Sequence, residues 1–191
     1  GWSPALEAIL DGRYDSEHRT LLASRVVRDQ AVVWHELSLN DVVVSRSSRG
    51  GMIELQVAVD GQHMYNQRGD GLIIATPTGS TAYALSANGP ILHPGLLGLV
   101  LVPIAPQTLS NRPIALPDDR SITIRIVGDG EPRVACDMQV FSDLHSGDDI
   151  VIERAPFRAR FLHPPGYSYF ATLRSKLGWQ ELPSSLQTPP R

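Results

Sequence analysis

The sequence predicts a mainly β fold, an antiparallel β sandwich or barrel with short helices near both ends. Three features carry this. The apolar segments are short, rich in branched residues and cut by Gly, Pro, Asp or Ser, as strands joined by turns are. Several alternate, Ser121-Ile-Thr-Ile-Arg-Ile-Val127 most plainly, as a strand does when one face is wet. Helical periodicity between those segments is nearly absent, which argues against a doubly wound sheet. A chain of 191 residues with 42% hydrophobic content can bury the core of one or at most two domains.

The first element is a helix, Pro4 to Leu10, opened by Ser3 and Pro4 and closed by Asp11-Gly12. Strands are expected over 20–28, 31–37, 39–45, 52–60, 62–67, 71–75, 97–104, 121–127, 133–138, 149–153 and 157–162. Val59-Asp-Gly-Gln62 and Val127-Gly-Asp-Gly-Glu131 read as hairpin turns, where glycine takes positive φ without steric cost. From Ser168 the pattern changes. Tyr169, Phe170, Leu173 and Leu177 recur at helical spacing, Lys176 falls in the last turn, and Gly178 stops the helix. The chain thus divides into an all-β body with a short leading helix, 1–165, and a helical tail, 166–191, whose apolar stripe needs a surface to lie on.

Charge and composition exclude several classes. A formal net charge of -3 gives no polyelectrolyte attraction to nucleic acid or to an anionic membrane, so an anionic partner is small and locally held. No run approaches the roughly 18 apolar residues of a membrane span, and no export signal opens the chain. The single cysteine, Cys136, rules out an internal disulfide and fits a cytoplasmic protein. The six histidines show no HxxxH or HxH spacing, so they suggest no metal site. The chain opens on Gly1 rather than methionine, which reads as a processed or excised piece.

Chemistry concentrates in Gly69-Asp-Gly-Leu-Ile-Ile-Ala-Thr-Pro-Thr-Gly-Ser-Thr-Ala-Tyr83. It has the glycines of a phosphate cradle but no lysine, so it is not a Walker loop. The Rossmann spacing fails at Ile74, and Gly79-Ser-Thr-Ala-Tyr83 lacks the second glycine of a nucleophile elbow. What remains is a buried strand delivering Thr76, Thr78, Ser80 and Thr81 in a bent turn, with Tyr83 and Ser86 beyond. Hydroxyls and freed amides read base edges and sugar hydroxyls, and a tyrosine ring offers a stacking face. Asp70 can accept ribose hydroxyls or can simply cap a turn. Asn40-Asp41 is a second polar pair at the head of an apolar strand. A carboxylate can take both hydroxyls of a vicinal diol, but strand neighbours face opposite ways, so joint use requires a turn or bulge. As structure alone, the pair reads as a turn.

Together these segments resemble the NAD kinase family, the inorganic polyphosphate/ATP-NAD kinases, in its bacterial branch. The resemblance is carried by Leu39-Asn-Asp-Val-Val43, Arg68-Gly-Asp-Gly-Leu72, Thr76-Pro-Thr-Gly-Ser-Thr-Ala-Tyr83, Ser86-Ala-Asn-Gly-Pro-Ile-Leu92, Leu101-Val-Pro-Ile104, Gly166-Tyr-Ser-Tyr-Phe170 and Lys176-Leu-Gly-Trp179. It implies the β-sandwich-like C-terminal domain of an enzyme that phosphorylates the adenosine ribose 2'-hydroxyl of NAD to make NADP. The donor is ATP or polyphosphate, and Mg²⁺ arrives with it. By the same resemblance, Asn40 and Asp41 hold the ribose, with aspartate where many members carry glutamate. Thr81, Ala82 and Tyr83 contact adenine, and Asp70 and Ser86 fix the rest of the dinucleotide. Ala105 and Gln107 fall where a neighbouring subunit of a homo-oligomer, dimer or tetramer, completes the pocket.

The family also has an N-terminal α/β domain whose GGDG motif supplies the proposed base, and this sequence contains no GGDG. The resemblance therefore implies no catalytic residue in this chain and no kinase activity from it alone. It also implies that the 166–191 tail packs on that first domain, which would leave its apolar stripe orphaned. A non-catalytic nucleotide-binding or assembly module is the rival reading, and a lipid kinase relative a more distant one.

Overall fold

The structure, a computed structural model, describes residues 3–47, 50–108, 110–128 and 130–179. Twelve strands and three α-helices appear among them. In chain order these are α1 (Ser3–Leu10), β1 (Asp15–Arg28), β2 (Ala31–Ser38), β3 (Asp41–Arg46), β4 (Ile53–Val59), β5 (Gln62–Gly69) and β6 (Gly71–Ala75). There follow α2 (Tyr83–Ser86), β7 (Gly98–Ile104), β8 (Ile114–Pro117), β9 (Ile122–Ile126), β10 (Pro132–Cys136), β11 (Val140–Asp143), β12 (Asp149–His163) and α3 (Tyr169–Leu177). The expected mainly β, antiparallel architecture holds.

The strands form two six-stranded sheets, β2-β1-β12-β9-β4-β5 and β11-β10-β3-β6-β7-β8. Alternate residues of both sheets build one core: Leu22, Val26, Leu55, Val57, Ile122, Ile124 and Ile150 from the first, and Val42, Val44, Leu72, Ile74, Leu99, Leu101 and Val134 from the second. The second sheet is covered on its other face too. Val43, Ile73, Ala75, Val100, Val102 and Ala135 point away from that core and form a separate cluster with Ala84 of α2 and Leu92. This explains the unbroken apolar runs of β3, β6 and β7: a strand buried on both faces has no wet side to alternate toward. Helix α2, four residues long, contributes Ala84 to that cluster.

Turn chemistry follows the sequence. Asp60 and Gly61 take φ of 50° and 75°, the paired left-handed residues of a two-residue hairpin between β4 and β5. Asp29 and Gln30 do the same between β1 and β2, at φ of 49° and 66°. The expected turn at 127–131 includes Asp129, which lies outside the described residues.

Four readings are corrected. The expected strands 149–153 and 157–162 are one strand, β12, which runs through Pro156. Strand β1 begins at Asp15, five residues before the expected start, because its first residues are polar. The four-residue strands β8 and β11 have no counterpart among the expected strands. The strand expected over 133–138 stops at Cys136, where Asp137 and Met138 turn left-handed at φ of 49° and 53°.

The chain separates into two compact units, 18–160 and the combination of 1–17 with 161–191. In this division α1 falls in the same unit as α3. In the smaller unit Ser168 caps α3, its hydroxyl accepting from the Ala171 amide at 3.3 Å, and Gly178 closes it at φ 67°. His163 Nε2 lies 3.0 Å from Glu17 Oε2, and its ring stacks on Tyr167 at 3.8 Å. Of the tail stripe, Leu173 is buried, Tyr169 and Leu177 are half-buried and Phe170 is exposed. Residues 180–191 of the expected tail lie outside the described residues.

Candidate nucleotide-binding site

Strands β3 and β6 are antiparallel partners, with Asp41 opposite Ala75 and Ser45 opposite Gly71. The head of β3 therefore meets the end of β6, and the chain leaving β6 enters the 76–83 loop beside Asn40. The Thr76 amide donates to the Asn40 carbonyl at 2.9 Å, and the Thr76 hydroxyl donates to the Leu39 carbonyl at 2.6 Å. Gly79 seats the loop more tightly still. A Cβ there would overlap the Asn40 carbonyl and stand 2.7 Å from its Cα, so only glycine fits.

The loop's hydroxyls are mostly consumed in holding its own shape. Thr76 Oγ1 also accepts from the Gly79 amide at 3.1 Å. Ser80, fully buried, donates to the Pro77 carbonyl at 2.7 Å and accepts from the Leu92 amide at 2.9 Å. Thr81 donates to the Thr78 carbonyl at 3.2 Å. Thr76 and Ser80 are thus scaffold rather than contacts, contrary to the reading that they face a ligand. Gly79–Thr81 form a single 3-10 turn, and after Ala82 helix α2 leads out through an exposed Tyr83 to an exposed Ser86.

Asp41 is the chemical anomaly. Among the described residues the larger unit holds three buried aspartates: Asp41, Asp118 and Asp148. Asp118 accepts from Arg154 at 2.8 Å and from Thr20 at 3.2 Å. Asp148 takes a two-pronged contact from Arg28 at 2.8 and 2.7 Å, with the His145 amide at 2.8 Å. Asp41, 2% exposed, has no cation among the described residues, and its Oδ1 is buried without a hydrogen-bond partner. Burial, and then the nearby charge of Asp137, push its carboxyl up to about 6. A buried acceptor left open is costly unless something arrives to fill it.

The expected site residues fall into two groups. Asn40, Asp41, Thr81, Ala82, Tyr83 and Ser86 lie at the Ala75 end of β6, within two segments that touch through Gly79 and Asn40. Asp70, Ala105 and Gln107 lie at the Gly71 end, about 13 Å of strand away at roughly 3.3 Å per residue. There the Asp70 amide donates to the Ile104 carbonyl at 3.0 Å, and the Gln107 amide donates to the Arg68 carbonyl at 2.8 Å. Asp70 also pairs with Arg46, whose Nε donates at 2.8 Å. One copy of the chain does not bring Asp70 to the Asn40-Asp41 pair.

Sequence reasoning missed two residues of this region. Arg19 of β1, 8% exposed, donates from Nη1 to the Thr78 hydroxyl at 3.1 Å. Asp137, after β10, binds the 39–41 backbone. The first is 59 and the second 96 residues from its partner, so no local pattern announces either.

A two-sheet antiparallel domain that seats such a loop against an Asn-Asp turn belongs to a defined class: the family profile for the ATP-NAD kinase C-terminal domain matches residues 39–164. The chain belongs to the NAD kinase family. An NAD kinase of Burkholderia mallei (strain SAVP1) is 60% identical over 177 residues, covering 93% of this chain and 59% of that protein. One from Paraburkholderia phymatum is 57% identical over 181 residues, covering 95% of this chain and 60% of that protein. The chain thus spans about three fifths of the length of the curated relatives it matches.

Among solved structures, the yeast NADH kinase complexed with NADH superposes with a TM-score of 0.89 at 24% identity, covering 97% of this chain and 56% of that one, which shows the shared fold. An NAD kinase from Archaeoglobus fulgidus in complex with ATP gives 0.76 at 28% identity, covering 93% of this chain and 66% of that one. No described helix is long and apolar enough to cross a membrane, and no group of three or more potential metal-ligating side chains occurs among the described residues.

Proposed function

We propose that this chain is the acceptor-binding and oligomer-forming part of a cytoplasmic NAD kinase, a phosphotransferase that makes NADP from NAD with ATP or polyphosphate as donor. The observation that supports it best is the open carboxylate oxygen of Asp41, buried beside the loop that Gly79 seats on Asn40. A vicinal diol would fill that acceptor. Asn40 and Asp41 then hold the adenosine ribose, Thr81, Ala82 and Tyr83 meet the adenine, and Ser86 lies farther along the dinucleotide.

The remote placement of Asp70, Ala105 and Gln107 favours a homo-oligomer in which a neighbouring copy lends them to the same ligand. Phosphoryl transfer needs a base and a metal-bound donor held in line. The chain's sequence contains no GGDG, and Mg²⁺ enters with the donor, so this chain alone forms no NADP.

Calorimetric titration of NAD into the 191-residue chain tests the reading. Asp41→Ala removes charge-assisted bonds worth ~1.5–3 kcal/mol each, and is expected to weaken binding at least tenfold. Tyr83→Ala removes a stacking face worth ~1–3 kcal/mol and should weaken it by a similar factor. Wild-type affinity in both variants would exclude this site.

A further inference from the structure

Asp137 stands in the turn after β10, and its carboxylate collects three consecutive amides of the segment before β3. Oδ2 accepts from Leu39 at 2.9 Å, and Oδ1 accepts from Asn40 at 2.7 Å and Asp41 at 3.1 Å. Its own amide donates to the Asp41 carbonyl at 3.0 Å. In a regular strand successive amides point to opposite edges, so three that converge on one carboxylate define a turn. That turn releases Asn40 and Asp41 from the alternation that would have kept them apart. Asp137 reaches this position from a left-handed backbone at φ 49°, which aspartate and asparagine tolerate better than most residues.

We propose that Asp137 is a positioning residue for the acceptor sugar, clasping the backbone of the Asn40-Asp41 turn so that both side chains can engage one ribose. Its charge has a second consequence. Apart from burial, Asp137 is the cause that raises the Asp41 carboxyl, and so it delays ionisation of the ribose acceptor as pH rises. The titratable groups around Asp41 are few. β10 ends in Cys136, on which Glu36 of β2 acts, Asp137 follows it, and the 75–81 segment leaving β6 has none. Beyond that segment the guanidinium of Arg19 reaches Thr78.

The inference rests on the reading that Asp41 binds the ribose, and calorimetry with NAD across pH 5–8 separates the two. Asp137→Asn keeps the left-handed turn but offers one acceptor oxygen for three amides. Binding at pH 8 is expected to weaken about tenfold, the loss of roughly one good hydrogen bond's worth of positioning. The pH midpoint of binding is also expected to fall below that of the wild type. Asp137→Glu keeps the charge but displaces it, so affinity should drop while the midpoint stays high; it also serves if Asp137→Asn does not fold. Wild-type affinity in Asp137→Glu, or an unmoved midpoint in Asp137→Asn, overturns the proposal. If Asp41→Ala itself leaves NAD affinity unchanged, the ribose reading has failed instead.

Discussion

Gly79→Ala is expected to abolish measurable NAD binding and to destabilise the domain by about 3 kcal/mol, the upper end of the usual overpacking cost. The added methyl would collide with the Asn40 carbonyl, which is backbone and already engaged by the Thr76 amide. Neither side can rotate away. The loop must back off the turn, which separates the residues proposed for adenine from those proposed for the sugar. Losing one set costs ~3 kcal/mol or more, over a hundredfold in affinity. Gly51→Ala is the control: a Cβ there meets nothing within 4 Å, and stability should change by less than about 0.5 kcal/mol. Thermal unfolding and NAD titration of the two variants check both halves.

Asp41→Asn should move stability and binding in opposite directions. The Asp41 carboxyl is raised from 3.8 to about 6 in the folded state, so its ionised form is disfavoured by folding. The sign follows from linkage. The favourable contribution of the protonated group is complete below the unfolded value near 4 and is lost as pH rises through about 6. At neutral pH the wild type carries a penalty of up to about 3 kcal/mol, because each tenfold weakening of the acid corresponds to roughly 1.4 kcal/mol. The asparagine variant does not titrate and escapes it. Its unfolding midpoint should match the wild type near pH 4 and exceed it by about 6–12 °C at pH 7–8, at roughly 2–4 °C per kcal/mol for a chain of this size. Its NAD affinity should fall tenfold or more, because a neutral amide replaces a charged acceptor. A midpoint advantage that is the same at pH 4 and pH 8 would show that the gain does not come from the proton.

Much of the fold was legible because local chemistry dictated it. Asp60-Gly61 makes a hairpin turn of the kind its residues favour, and the Ser168 and Gly178 caps bracket α3 as their side chains and φ require. The apolar runs of β3 and β6 were readable as buried strands. Only the second cluster beneath α2 shows why neither alternates. The misses share a different cause. Pro156 looks like a break, yet β12 continues through it. Asp137 was hidden inside an expected strand because Met138 gives no hint of a left-handed backbone.

The elements of the candidate site were legible in part. Asn40-Asp41 and Thr76–Tyr83 stood out by residue type, and the structure joins them through Gly79. What no sequence pattern could supply was the clasp from Asp137, the brace from Arg19, or the consumption of Thr76 and Ser80 by their own loop. Each is a contact fixed by sheet order or loop closure rather than by spacing. Asp70 was legible as a carboxylate able to accept ribose hydroxyls or to cap a turn, but its distance from Asp41 follows only from the register of β6 on β3.

The most direct test of the central claim is an NAD titration followed by the assigned amide resonances of the chain. Asn40, Asp41, Thr81, Ala82 and Tyr83 are expected to shift together along one binding isotherm, and Asp41→Ala to remove the shifts at Thr81–Tyr83 as well as its own. Shifts confined to one of the two segments, or centred elsewhere on the domain, would contradict a single adenosine site built from both.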